Sequence, residues 1–258
     1  MAGCDVYMKM ENLQKTGSFK IRGAYNKIGV LSEVERQRGV IAASAGNHAQ
    51  GVAFAATKAG IRSTIVMPEV APLAKVQATR GYGAEVVLAG GVYDEALAKA
   101  CELQRETGAT FVHAFDDPAV MAGQGTIGLE ILAALPDVSA VVVPVGGGGL
   151  IAGMAAAIKQ LAPKVRVIGV QASGAPAMYL SKHAHARVET PEAMTMADGI
   201  AVRLPGEQTF KVIEQYVDEV VVVDEEEIAA TILLLLERSK MVVEGAGAVS
   251  LAALVQGR

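Results

Sequence analysis

Short runs of β-branched and small apolar residues recur along the chain, and longer Ala-rich segments with helical spacing of apolar positions separate them. The runs are 39-GVIAAS-44, 63-STIVM-67, 84-AEVVL-88, 140-AVVVPV-145, 165-VRVIGV-170 and 219-EVVVVD-224. Strands alternating with amphipathic helices are βαβ units, and runs apolar at nearly every position suit strands covered on both faces. The pattern predicts a doubly wound α/β protein with mostly parallel sheets.

Punctuation agrees with that reading. Pro68, Pro72, Pro118 and Pro163 fall at segment ends or in first helical turns, where a missing N–H costs little. Helical periodicity fades over 181-SKHAHARVETPEAMTMADG-199, which predicts a surface segment. No repeat, Ser/Gly linker or low-complexity tract marks a boundary, so any two domains are expected to be intimately joined.

Composition narrows the classes. A chain of 258 residues that is 52% hydrophobic fills a sizeable core. A formal charge of −4 without a basic or acidic block argues for a small-molecule partner, with no nucleic acid and no membrane. The longest apolar run, 228-IAATILLLLE-237, is too short for ~30 Å of hydrocarbon, and no charged-then-apolar leader opens the chain. Cys4 and Cys101 show neither CxxC nor metal spacing; they read as small buried thiols in a reducing, cytoplasmic setting.

Four segments could carry chemistry. In 16-TGSFKIRGA-24, Ser18 is placed to cap a helix beginning near Phe19, with Ile21, Ala24, Tyr25 and Ile28 behind it. Lys20 is then either a solvated lysine on a capped helix or an amine whose pKa is lowered by the positive helix end and Phe19. An amine of the second kind forms Schiff bases or acts as a base. In 44-SAGNHAQG-51 a strand ends in small residues and Asn47 opens a helix, so the turn reads either as an anion site of backbone N–H groups or as an ordinary Asn cap.

In 144-PVGGGGLIAG-153 four glycines follow a strand and open a helix, which reads as a phosphate cradle or as a flexible turn. The run is neither GxxxxGK[ST] nor a GxGxxG followed by a ribose-binding acid, since Gln171 stands roughly where that acid belongs. In 244-EGAGAVSLAAL-254 close helix packing accounts for the small residues, with a ligand role for Glu244 as the other reading. His183 and His185 make a poor metal site, lacking nearby cysteines or acids, and read as a solvated loop pair.

Taken together, 11-ENLQKTGSFKIRGA-24, 44-SAGNHAQG-51, 123-GQGTIGLE-130, 146-GGGGLIAG-153, 197-ADG-199 and 244-EGAGA-248 resemble the threonine dehydratase (threonine ammonia-lyase) and serine dehydratase family. Those enzymes use pyridoxal 5′-phosphate on the fold called type II, or tryptophan-synthase-β-like. The resemblance spans nearly the whole chain in order. It implies two intimately joined doubly wound domains: a smaller mobile one at residues 42–119, and a larger cofactor-holding one formed by 1–41 and 120–258.

It also implies roles. Lys20 would hold the cofactor aldehyde covalently, Phe19 would lie against its ring, and Asn47 would donate to its 3′ oxygen. The amides of Gly146, Gly147, Gly148, Gly149 and Leu150 would hold the phosphate. Ser44, Ala45, Gly46, Asn47 and His48 would receive the carboxylate of an amino-acid substrate. The implied reaction is α,β-elimination of L-threonine to 2-oxobutyrate and ammonia, or of L-serine to pyruvate, in a homodimer or homotetramer, with Lys20 as the base at Cα.

Single residues weigh against neighbouring activities. Racemases of this fold carry a serine where this chain has Ala45, and acidic metal ligands where it has Gln171 and Ala177, so no metal is expected there. Cysteine-synthase-like relatives have Thr in place of His48. The family pattern begins before the strand expected at 5-DVYMKMEN-12 and continues past Arg258, so the chain reads as truncated at both ends. A weakly active or silent fragment that still binds a phosphorylated ligand is therefore an alternative, and a nucleotide-binding module a third.

Overall fold

A computed structural model describes residues 3–257. All the ladders between its strands are parallel, and the described residues fall into two compact units, 11–123 and 3–10 with 124–257. Segment 42–119 lies wholly inside the first unit, which also takes in the helix that Lys20 opens.

In the unit 11–123 the elements in order are α1 (Lys20–Gly29), α2 (Glu33–Arg38), β1 (Val40–Ala43), α3 (Asn47–Lys58), β2 (Ser63–Met67), α4 (Leu73–Gly81), β3 (Glu85–Leu88), α5 (Tyr93–Thr107) and β4 (Thr110–Phe111). The sheet order is β3-β2-β1-β4. Each residue of β1 is buried, and alternate side chains go to opposite sides. Val40 and Ala42 join a core with Ala49, Val52, Ala53 and Ala56 of α3, whereas Ile41 and Ala43 join Ala96 and Ala100 of α5. That is the double winding which the unbroken apolar runs require.

Two expectations change here. The 84–88 run forms β3, but β3 is the sheet edge, and its first and last residues are exposed instead of covered on both faces. The strand expected at 5–12 is absent: no ladder engages it among the described residues, Val6, Tyr7 and Met8 are exposed, and Glu11–Leu13 form a 3-10 turn. Without a neighbouring strand, its alternation has nothing to pair with.

Helix α6 (Pro118–Ala134) carries the chain from one unit into the other. The second unit continues with β5 (Ala140–Pro144), α7 (Gly149–Leu161), β6 (Arg166–Ala172), α8 (Ala177–Ala184), α9 (Glu207–Tyr216), β7 (Glu219–Val223), α10 (Glu225–Leu234) and α11 (Gly245–Val255). Its sheet is β5-β6-β7. The central β6 is buried at every position after Arg166. Val170 and Ala172 pack with Ile228 of α10 and with Val249 and Ala252 of α11. Ile151 of α7 fits against Gly169, where a Cβ would meet its Cδ1 at 3.1 Å.

The small residues of 123-GQGTIGLE-130 serve close packing on α7, because a Cβ on Gly125 would sit 2.7 Å from the Gly153 carbonyl oxygen. The surface segment expected at 181–199 begins inside α8, with Ser181 and Ala197 buried. The apolar face of α8 outlasts the loss of sequence periodicity. Cys4 is exposed and Cys101 half-buried, so neither is the buried thiol expected; Cys4 sits in the uncovered stretch around Val6.

Candidate active site

Lys20 is the first residue of α1, one position later than the expected start. Phe19 occupies the cap position without a side-chain bond, and Ser18 helps from one residue further back, its Oγ accepting from the Lys20 N–H at 3.4 Å. The half-buried Lys20 Nζ donates to the Ala114 carbonyl oxygen at 3.0 Å and lies 5.3 Å from the Phe19 ring centre. Phe19 therefore flanks the ammonium as the sequence suggested.

A glycine brings α3 against this lysine. A Cβ on Gly51 would meet the Lys20 carbonyl carbon at 3.1 Å and the Lys20 oxygen at 3.2 Å, so no larger residue lets the two helices approach this closely. Gly123 does the same for α6, where a Cβ would lie 2.5 Å from the Arg22 oxygen. Arg22 is clamped through Nε and Nη2 by the two oxygens of the Glu11 carboxylate, at 2.8 Å each. Lys27 pairs with Asp117 at 2.7 Å, and the same Asp117 caps α6 by accepting from Ala119 N and Val120 N. The first helix is thus fixed on several sides.

The 44–48 turn is built as a helix entrance, with Gly46 rather than Asn47 at the cap position and Asn47 as the first helical residue. Ser44 Oγ accepts from the Gly46 and Ala49 amides at 3.2 and 3.3 Å. An anion arriving at this turn meets a serine already holding two of its amides. Ala45 is half-buried and presents a methyl group.

His48 is 3% exposed, and its Nε2 lies 2.8 Å from the Val112 carbonyl oxygen. A carbonyl only accepts, so Nε2 carries the proton, and Nδ1 is buried without a partner. Burial, with the nearby Lys20 charge second, pushes the His48 pKa down to about 3, and the ring is neutral at physiological pH. His113, not singled out in the sequence, stands beside them. Burial is the first reason that its pKa is lowered, and Lys20 adds to it against the opposing pull of Asp116 and Asp117.

The tetraglycine belongs to the other unit. Gly148 is the cap residue of α7, at φ +98, and no side chain caps the helix, so its first amides point out of the turn. A Cβ on Gly148 would meet Ile213, Met178 and Thr209 at 2.8 to 3.0 Å, and one on Gly146 would meet Ile200 Cα at 3.0 Å. These two glycines are thus required by neighbouring protein atoms and, at Gly148, by backbone conformation. The expectation of ligand approach as the main cause does not extend to them. Gly147 O accepts from Thr209 Oγ at 2.7 Å, which fixes the loop from behind. Gly149 is buried and Leu150 half-buried.

The remaining candidates have structural employment. A Cβ on Gly245 would meet Ala197 Cα at 2.9 Å, and one on Gly199 would meet Ala246 Cβ at 3.0 Å, so the 197–199 and 244–248 motifs are each other's packing surface. Glu244 is the exposed cap residue of α11. Gln171 is fully buried, with Oε1 accepting from Tyr179 N at 2.7 Å, and Ala177 opens α8. His183 bonds the Tyr179 carbonyl and His185 pairs with Glu214, so each histidine has its own local partner. No helix among the described residues is long and apolar enough to cross a membrane.

The doubly wound α/β scaffold with parallel sheets is that of the fold type II class of pyridoxal-phosphate enzymes. The chain belongs to the family described as pyridoxal-phosphate dependent enzyme, which matches residues 1–258. It is 61% identical to an L-threonine ammonia-lyase of Thermotoga maritima over 256 residues, covering 99% of this chain and 64% of that protein. The chain therefore spans a little under two thirds of that relative's length. It superposes on the processed form of threonine deaminase isoform 2 from Solanum lycopersicum with a TM-score of 0.95 at 46% identity, covering 97% of this chain and 73% of that one. Maize serine racemase gives 0.96 at 37% identity, covering 98% and 77%.

Proposed function

We propose that this chain forms the pyridoxal 5′-phosphate-binding part of a threonine ammonia-lyase, acting on L-threonine or L-serine. The observation that carries the proposal is the placement of Lys20: half-buried at the start of α1, beside Phe19, with its Nζ held by a backbone carbonyl. The 61% identity to an L-threonine ammonia-lyase supports the choice of substrate.

The residues present fit the cofactor. The uncapped N-terminus of α7 offers backbone N–H groups and a positive helix end suited to a phosphate, and the Gly148 cap leaves no side chain there. In this reading Gly146, Gly147, Gly148, Gly149 and Leu150 hold the phosphate, Asn47 donates to the 3′ oxygen, Phe19 covers the ring, and Lys20 binds the aldehyde carbon. When bound, the cofactor supplies an electron sink for charge developing at the substrate Cα.

The chain's own residues do the rest. Lys20 Nζ removes the proton from Cα. Residues 44–48 orient the substrate carboxylate with backbone N–H groups at the start of α3. His48 stays uncharged beside them, so the carboxylate is oriented by dipoles and not fixed as a salt bridge. Ala45 offers no hydroxyl on the opposite side of Cα, which favours elimination over racemisation. Segment 42–119 is proposed to act as the substrate-binding, moving part.

The test is product formation. The chain reconstituted with pyridoxal 5′-phosphate and given L-threonine is expected to release 2-oxobutyrate and ammonia, and Lys20→Ala to release neither. Equal turnover by the two proteins would overturn the assignment of Lys20, and D-allothreonine formed from L-threonine by the unaltered chain would overturn the choice of reaction.

A further inference from the structure

Residues 112–116 directly follow β4 and do two jobs with alternate carbonyl groups. Val112 O accepts from His48 Nε2 at 2.8 Å, and Ala114 O accepts from Lys20 Nζ at 3.0 Å. The residue between them, His113, is half-buried; its ring packs edge-on against Phe115 at 4.6 Å and near Phe111 at 6.3 Å. His113 Nδ1 accepts from the Asp116 amide at 2.8 Å and from the Phe115 amide at 3.2 Å. The imidazole is closing the backbone turn as an Asn or Asp side chain does in an Asx turn. Only a ring with a lone pair on Nδ1 can do this, so the proton of the neutral ring is on Nε2.

We propose that His113 is a positioning residue for the Lys20 amine: its Nδ1 lone pair holds the 113–116 turn that aims the Ala114 carbonyl at Lys20 Nζ. Without that acceptor the two bonds from the Phe115 and Asp116 amides to the ring are lost, and Ala114 O is no longer fixed where Lys20 needs it. A protonated imidazole has no such lone pair and releases the turn in the same way. The charged and titratable groups that face His113 are Lys20 from α1, His48 from α3, and Asp116 and Asp117 from its own segment, with Lys27 paired to Asp117. Lys20 opposes charging of His113 and the two aspartates favour it, while burial outweighs them and keeps the lone pair available in neutral solution.

The inference rests on Lys20 being the reactive amine of the proposed enzyme. Its test reads that amine in the full chain without cofactor or substrate, so the two can fail separately. The chain, His113→Phe and His113→Asn are treated with trinitrobenzenesulfonate, and the label on the Lys20 peptide is followed by mass spectrometry beside the other lysines. His113→Phe keeps a ring of similar shape and loses the acceptor. It is expected to raise the Lys20 labelling rate by roughly three- to tenfold, less than loss of a fully buried charged hydrogen bond would give, with the other lysines unchanged. His113→Asn restores an acceptor two and three residues before the same amides and is expected to stay within about twofold of the unaltered chain.

A Phe variant whose Lys20 reacts like the original, or an Asn variant as reactive as the Phe variant, overturns the proposal. Nitrogen-15 NMR of the unaltered imidazole decides the matter if the Phe variant does not fold. A His113 tautomer protonated on Nε2 supports it, and one protonated on Nδ1 overturns it.

Discussion

Gly51→Ala is the sharpest test of how the fold presents its lysine. The added Cβ would lie 3.1 Å from the Lys20 carbonyl carbon and 3.2 Å from both Ile21 N and Lys20 O. Those neighbours are backbone atoms of the first turn of α1, with no flexible side chain to swing aside, so the helix start must move by a few tenths of an ångström. Two effects compete. Replacing Gly by Ala inside a helix gains about 0.8 to 1 kcal/mol in propensity, and overpacking costs about 1 to 3 kcal/mol. The sum is a loss of roughly 0 to 2 kcal/mol.

Gly29→Ala, at the far end of α1 where a Cβ meets nothing within 4 Å, carries the gain without the cost. It is expected to be stabilised by about 0.5 to 1 kcal/mol. Urea unfolding at equal m-values separates the two substitutions by their midpoints. Turnover of L-threonine gives the second readout, because displacement of a reacting group by even 1 Å costs about a hundredfold. Several-fold loss in Gly51→Ala is the expected outcome, against none in Gly29→Ala. Equal stabilisation of both variants with unchanged turnover would refute the idea that Gly51 sets the position of Lys20.

Other outcomes follow from the same contacts. His48 is depressed from 6.5 to about 3, so between those values the unfolded chain holds the extra proton; stability falls as pH drops below 6.5 and levels off near 3. Its share amounts to about 1.4 kcal/mol per pH unit, and His48→Gln should flatten that slope in urea midpoints measured from neutral to mildly acid pH. Burial raises the Asp117 pKa, but Lys27 and the two capped amides outweigh it and leave the carboxyl below its ordinary 3.8. Its contribution is thus present above 3.8 and lost as pH falls through the depressed value; Asp117→Ala should lose about 0.5 to 2 kcal/mol at neutral pH and less in acid. Gly148→Ala faces a positive φ, with the ends of the Ile213 and Met178 side chains able to give way, and should lose about 1 to 2 kcal/mol in thermal or urea unfolding.

The sequence made the sheet strands visible where they are covered, as in β1 and β6, because burial on two faces writes an unbroken apolar run. It exaggerated β3, whose apolar centre is the same although it lies at an edge with Glu85 and Leu88 exposed. It missed β4, since two residues carry no period. The helix starts at 19–20, 44–48 and 146–150 were legible because each combines unusual composition with the onset of helical spacing. His113 and Gly51 were not, for their importance lies in what faces them: one amide pair across a turn, and one backbone two helices away in sequence. The same holds for Cys4, whose exposure is set by its surroundings and not by its own chemistry.

The most direct measurement of the central claim is to find where the cofactor attaches. The purified chain is mixed with pyridoxal 5′-phosphate, reduced with borohydride, digested and mapped by mass spectrometry. A phosphopyridoxyl group concentrated on Lys20, and absent from that peptide after prior treatment with L-threonine, is the predicted result. Label spread over the exposed lysines in proportion to their accessibility, or confined to a lysine other than Lys20, would contradict it.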